Sequence, residues 1–129
     1  MPIDTDEIRR ALLCALPALT FAGRGAAQDA ALVQPQSYKV VLENAQVRVL
    51  EFNSRPGLGV CGSGLHSHPA HLGVVLSSGP VRIRTADGKV EEVPAMPVGS
   101  VFWSEAVTHA TENISGHDLR SLLVEIKHA

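Results

Sequence analysis

Three of the six histidines in this 129-residue chain stand together in the run Leu65-His66-Ser67-His68-Pro69-Ala70-His71. Alternate side chains of a β-strand project from one face, so His66 and His68 share a face about 7 Å apart along the backbone. Two imidazoles at that spacing can converge on one divalent ion. A third ligand has to come from a distant segment, and His109, in the polar run 104–113, is the candidate. Three neutral imidazoles without a carboxylate leave at least one coordination position open. They suit Fe, Zn, Ni or Cu better than the oxygen-loving Mn or Mg. The competing reading is three histidines hydrogen-bonded inside a barrel that holds no metal.

The neighbours of these histidines divide by parity. Asn113 and Glu105 lie four residues either side of His109 and share its face. Asn113 is read as orienting a ligand or a loop, and Glu105 as approaching the site. Glu112 has the opposite parity and is read as a solvated charge, while His117 and His128 are read as surface residues. His71 has two readings of equal weight: an imidazole turned inward by a bulge at Pro69, giving a fourth ligand, or a rim histidine that never touches metal. Phe102 and Trp103 are expected in the barrel wall. No inward carboxylate or lysine is evident as a general base.

Short β-propensity runs position these residues. Residues 38–43 and 46–53 flank Asn44-Ala45, which predicts a tight hairpin. The run Val81-Arg82-Ile83-Arg84-Thr85, then Ala86-Asp87-Gly88, then Lys89-Val90-Glu91-Glu92-Val93, predicts two strands with one wet face joined by a two-residue Asp-Gly turn. Further strands are expected at 71–78, 99–104, 107–113 and 119–126. Turn signals at intervals of roughly 8 to 12 residues fit a sandwich or jelly-roll barrel. The fold class is therefore all-β, a single barrel domain over 38–127.

Charge narrows the function classes. Lys and Arg total 11 against 13 Asp and Glu, a formal charge of −2, so no basic footprint for nucleic acid is visible. Residues 11–22 are twelve positions without a charge, preceded by Arg9-Arg10 and followed by small residues at 23 and 25–27. That is the layout of a signal peptide, and residues 1–28 are read as such a segment or as an N-terminal helix, with 29–37 as a linker. Asp4, Asp6 and Glu7 offset the positive start that export requires. The run is too short to cross a hydrocarbon core of roughly 30 Å, so no stable membrane anchor is expected. An exported, periplasmic or extracellular protein is the expectation; a cytoplasmic one follows if the segment is a packed helix or a mis-assigned start. A chain processed near Ala27 would lose Cys14 and keep Cys61 alone, with no intramolecular disulfide.

The two histidine groups together resemble the cupin superfamily. Its first motif, a glycine, His-x-His, an acidic residue three or four positions on and a further glycine, is matched by Gly59, His66, His68 and Gly79. Its second, a glycine, a Pro-x-Gly turn, a histidine and an asparagine four residues later, is matched by Gly99, Ser104-Glu105-Ala106, His109 and Asn113. The sequence departs where the family has its glutamate, offering only Leu72 or Gly73, and the turn before His109 lacks Pro and Gly. The resemblance implies a double-stranded β-helix with a metal ion in the mouth of the barrel. It also implies a small-molecule ligand or substrate, with an iron-dependent dioxygenase among the activities of three-histidine members. Isomerisation or hydrolysis on an open metal fits equally, as does a non-catalytic cupin that binds or senses a ligand or metal. A homodimer is plausible from the polar faces and edge strands of so short a barrel.

Overall fold

The structure, a computed structural model, describes residue 14 and residues 28–57 and 60–128. Most of the segment 1–28 and the motif residue Gly59 therefore lie outside the described residues. Among the described residues a short helix α1 (Ala30–Val33) precedes nine strands: β1 (Tyr38–Glu43), β2 (Val47–Ser54), β3 (His66–His68), β4 (His71–Ser77), β5 (Val81–Thr85), β6 (Val90–Val93), β7 (Val101–Ser104), β8 (Val107–Asn113) and β9 (Leu119–Ile126). They form two antiparallel sheets, ordered β1-β2-β9-β4-β7 and β3-β8-β5-β6. The non-sequential neighbours are the signature of a jelly roll, in which the chain alternates between two facing sheets. The all-β barrel expected from turn spacing is the observed fold.

Local chemistry explains the connections. Between β1 and β2 the Asn44 carboxamide oxygen accepts hydrogen bonds from the backbone N–H groups of Gln46 (2.8 Å) and Val47 (2.9 Å), closing the turn from within. The β5–β6 hairpin differs from its expectation. Thr85 pairs with Lys89, its N–H reaching the Lys89 carbonyl at 2.9 Å, so Ala86, Asp87 and Gly88 form a three-residue connection. Gly88 has φ of 89° and no non-glycine residue among those described has positive φ. Asp87 thus stays right-handed, as in a type I turn closed by a glycine bulge, where a two-residue Asn-Gly-type turn would need positive φ at both positions.

Residues 29–37, which composition reads as a linker, carry α1 and a turn packed on the barrel. Ala30 is fully buried and joins Tyr38, Leu50 and Leu123 in the core, with Phe52 and Phe102 against it. Buried Gln34 reaches the loop ahead of β3, donating to the Cys61 carbonyl (2.8 Å) and accepting from the Cys61 N–H (3.0 Å). Cys61 is also bonded to Cys14 in the chain as it stands, a bond that only a chain retaining residue 14 can make. Asp29 forms a parallel bridge with Ser67, so this stretch edges the sheet that carries His66 and His68. No helix among the described residues is long and apolar enough to cross a membrane.

Candidate metal centre

Strand alternation and cross-strand register bring the histidines together. His66 and His68 are both buried on β3 with Ser67 between them pointing away. His109 on β8 is the direct cross-strand partner of His66. One ligand atom from each of His66, His68 and His109 lies within 4.8 Å of the others. The ring centroids are 4.9 Å apart for His66 and His68, 4.9 Å for His66 and His109, and 5.3 Å for His68 and His109.

His71 is also buried, and its ring lies 5.1 Å from that of His68. It begins β4, in the other sheet, where it pairs with Ser104 and Glu125. Its inward direction comes from the chain crossing between sheets at Pro69-Ala70, a larger change than the bulge considered from sequence. His71 thus faces the cluster from the opposite wall, beside the compact three-histidine group.

The hydrogen bonds and burial set the protonation of these rings. The Nδ1 of His66 lies 2.8 Å from the Gly64 carbonyl, an acceptor only, so Nδ1 carries the proton and donates. That leaves Nε2 as a bare lone pair, and this atom is buried with no partner. His71 repeats the device, its Nδ1 donating to the Pro69 carbonyl at 2.8 Å. Burial, reinforced by neighbouring His68, pushes His66 down to about 4. Burial and the other three histidines push His109 down to about 3. Burial also lowers His71. At neutral pH His66 and His109 are uncharged, the state in which imidazole binds metal.

A buried charge relay stands behind His68, and the sequence reading that found no inward carboxylate is corrected by it. Glu125 on β9 is 3% exposed and accepts from Arg48 Nε (2.5 Å) and Nη2 (3.1 Å). Arg48 in turn binds Asp29, with Nη1 at 3.1 Å from Oδ2. Glu125 Oε1 lies 4.0 Å from His68 Nδ1, facing it but too far for a hydrogen bond. That Nδ1 is the second buried nitrogen without a partner. Burial would raise the Glu125 carboxyl, but His68 and the Arg48 guanidinium outweigh it and hold it below the usual carboxylate range. Arg48 is held firmly protonated: burial works against its charge, and both carboxylates overcome it. The one signal for Glu125 in the sequence is its parity with Leu119 and Leu123 on β9, both of which are buried.

The structure also explains the absent glutamate of the first motif. Gly73 is the inward position on β4, pairing with Phe102 on β7 and Leu123 on β9. A Cβ there would stand 2.1 Å from Cζ of the Phe102 ring. Phe102 occupies the space where a longer side chain at 73 would project.

The remaining candidates divide. Asn113 sits at the far end of β8, its amide donating to the Ser54 (2.9 Å) and His117 (2.8 Å) carbonyls and its oxygen accepting from Ser115 N (2.8 Å), so it ties loops together. Glu105 is exposed and accepts from Trp103 Nε1 at 2.8 Å, away from the cluster. Glu112 is exposed and pairs with Arg82. Trp103 points outward and is 55% exposed, whereas Phe102 packs against the core. Tyr38 was not counted as a site residue, yet its ring packs 4.8 Å from that of His66 and 5.1 Å from that of His68. Its hydroxyl is hydrogen-bonded to Thr111, and burial raises its pKa.

A cavity of about 530 Å³ opens from the cluster into the barrel, bounded by His68, His71 and His109 and continuing between the sheets. On β8 and β5 the paired ranks run from His109 and Thr85 through Thr111 and Ile83 to Asn113 and Val81. On β4 and β9 they run from His71 and Glu125 through Gly73 and Leu123 to Val75 and Ser121. Each wall begins at an imidazole and gains aliphatic side chains, Ile83 and Val81 on one and Leu123 and Val75 on the other.

No family model and no curated protein matches this chain. Solved structures do. A cupin domain from Bordetella pertussis Tohama I is 26% identical, covering 70% of this chain and 92% of that one with a TM-score of 0.60. An RmlC-like cupin family protein with a double-stranded β-helix fold from Methanocaldococcus jannaschii is 12% identical, covering 70% and 79% with a TM-score of 0.53. The fold is the cupin double-stranded β-helix, and it carries a three-histidine cluster compatible with a transition metal.

Proposed function

We propose that this cupin barrel binds a divalent transition metal, Fe, Zn, Ni or Cu, through His66, His68 and His109, and uses it to act on a small molecule, by dioxygenase chemistry or by isomerisation or hydrolysis at the open metal position. The observation that carries the reading is the bare, buried Nε2 of His66. A buried polar atom without a partner is costly, and one fixed toward two other imidazoles by a carbonyl on its far nitrogen is the arrangement of a metal ligand.

When bound, the metal supplies Lewis acidity and an open position where substrate and a second reactant meet. The chain's own residues supply orientation. The Gly64 carbonyl fixes the His66 tautomer, and Glu125, held in place by Arg48, faces His68 Nδ1 and leaves the other ring nitrogen to the cluster. Tyr38 packs against both rings and limits their rotation. His71 presents a further uncharged nitrogen from the opposite wall.

One observation favours a second reading, a non-catalytic cupin that binds or senses a ligand or metal. The nearest buried carboxylate, Glu125, is engaged by two Arg48 nitrogens and is a poor free base. Two measurements separate these readings. Metal content of protein purified without an affinity tag is expected at about one equivalent, and its absence overturns the metal centre. Oxygen uptake by the iron-loaded protein across a panel of small substrates is expected for at least one of them, and inertness with every metal leaves the binding protein. Export is part of the proposal. The layout of residues 1–28 supports it, and cleavage near Ala27 would remove Cys14 and with it the Cys14–Cys61 disulfide. The intact mass of protein recovered from the periplasm tests it.

A further inference from the structure

The cavity behind the histidines has a chemical character of its own. Its body is lined by Val75, Val81, Ile83, Met96, Phe102 and Leu123. The polar atoms added by Thr85, Thr111 and Ser121 are hydroxyls, able to meet a hydrogen-bonding group but carrying no charge. Among the described residues no lysine or arginine lines it, and the single lining carboxylate is Glu91 on the exposed strand β6. The half-buried Arg48 is not available either, since Glu125 and Asp29 occupy its guanidinium.

From these walls we infer that the cavity takes a small, uncharged, largely apolar molecule, whose one oxygen donor is turned toward the histidine cluster. A carboxylate or phosphate held among the aliphatic walls, or anywhere in the metal-free barrel, would lose its hydration and find no cationic side chain in return, a cost of several kcal/mol for an unpaired charge. An apolar body gains from the same walls, by roughly 25 cal/mol for each Å² removed from water. A cavity of about 530 Å³ falls within the range of small-ligand sites and admits a body on the order of ten heavy atoms. The direction of the donor rests on the proposed metal centre. The uncharged, apolar body rests on the walls alone.

The test uses three probes of one shape: 4-ethylphenol, 4-ethylbenzoate and 4-ethylbenzylammonium, titrated into the full-length protein with and without zinc and followed by ligand-observed NMR. The phenol is expected to bind the zinc-free protein at least about tenfold more tightly than either ion, and to tighten further when zinc is present. Ile83→Phe, placed in the cavity wall one rank beyond Thr85 and His109, is expected to abolish phenol binding and leave zinc stoichiometry unchanged. Val75→Phe, from the opposite wall, provides the same block should Ile83→Phe fail to fold. Equal binding of the benzoate to the zinc-free protein, no binding of the phenol, or phenol binding that survives a folded blocking variant overturns the inference. Failure of the metal reading shows separately, as wild-type protein that takes up no zinc while the phenol preference in its absence persists.

Discussion

The two ends of the barrel interior are built by opposite rules. At the histidine end the polar atoms are fixed one by one, and two ring nitrogens, His66 Nε2 and His68 Nδ1, are held bare. Gly64 and Pro69 carbonyls hold two imidazoles, and the Asp29–Arg48–Glu125 relay backs a third. At the other end Val75, Val81 and Ile83 supply shape and little direction. Polar groups buried together have to be satisfied in one geometry, whereas aliphatic walls tolerate repacking. The rigid end therefore sets where chemistry takes place, and the adaptable end sets what fits beside it.

Removing a ligand should break this contrast most visibly. His109→Ala is expected to lower metal affinity by well over 100-fold, beyond the 10- to 100-fold typical of losing an outer-shell partner. Metal content after dialysis against a chelator measures it. Acid should act next, on the metal-free protein. His66 and His109 have folded pKa values of about 4 and about 3, below the unfolded value near 6.5. Below pH 6.5 the unfolded chain binds protons that the folded one refuses, so stability is full above that pH and falls as pH drops toward 4. Glu125, held low in the fold, adds a loss of the same sign at the acid end. The loss for His66 alone is on the order of 3 kcal/mol by pH 4. Urea denaturation at pH 7, 5.5 and 4 checks it, and a flat profile would show that the histidine end is not buried as described.

Legibility in sequence follows the same division. His66, His68 and His109 were readable because strand alternation fixes the first two on one face, and the second histidine group supplies the third at the right place in the order. The strands were readable from turn residues, and β1, β5, β8 and β9 fall where the pattern puts them. Glu125 was not readable. Although Leu119, Leu123 and Glu125 share a parity, Leu122, Val124 and Ile126 make the opposite face of β9 equally apolar, so alternation gives no inward direction. Arg48 and Asp29 were hidden because their partners are 77 and 19 residues away, set by the pairing of β2 with β9 and the docking of α1. The direction of His71 depended on a crossing between sheets, which no local pattern announces.

Gly73 lies where the two ends meet, and it sharpens the comparison. With a Cβ only 2.1 Å from the Phe102 ring, Gly73→Ala forces the ring to move and should cost about 1–3 kcal/mol. Phe102→Leu in the same chain should recover part of that loss, because it removes the atoms in conflict. Thermal unfolding of the two single variants and the double variant measures the coupling. Additive losses would mean that the ring is not what excludes a side chain from position 73.

The finest distinction is between two glutamates. Glu105 stands four residues from His109 in sequence and Glu125 does not, yet only Glu125 is buried against His68. Glu125→Gln keeps the shape and removes the charge that faces His68 Nδ1. It is expected to weaken metal binding by 10- to 100-fold, the usual range for an outer-shell carboxylate. Because the change also leaves Arg48 with Asp29 as its remaining carboxylate partner, the metal-free variant should lose stability as well, so the ¹⁵N shifts of the His68 ring provide the separate readout. In the wild type the proton should reside on Nδ1, beside the carboxylate, and in Glu125→Gln that preference should weaken even in folded protein. Glu105→Gln, altering an exposed group bonded to Trp103, should leave both affinity and tautomer unchanged. If the two substitutions prove alike, Glu125 is only the counter-ion of Arg48, and the order at the histidine end stops at the backbone carbonyls.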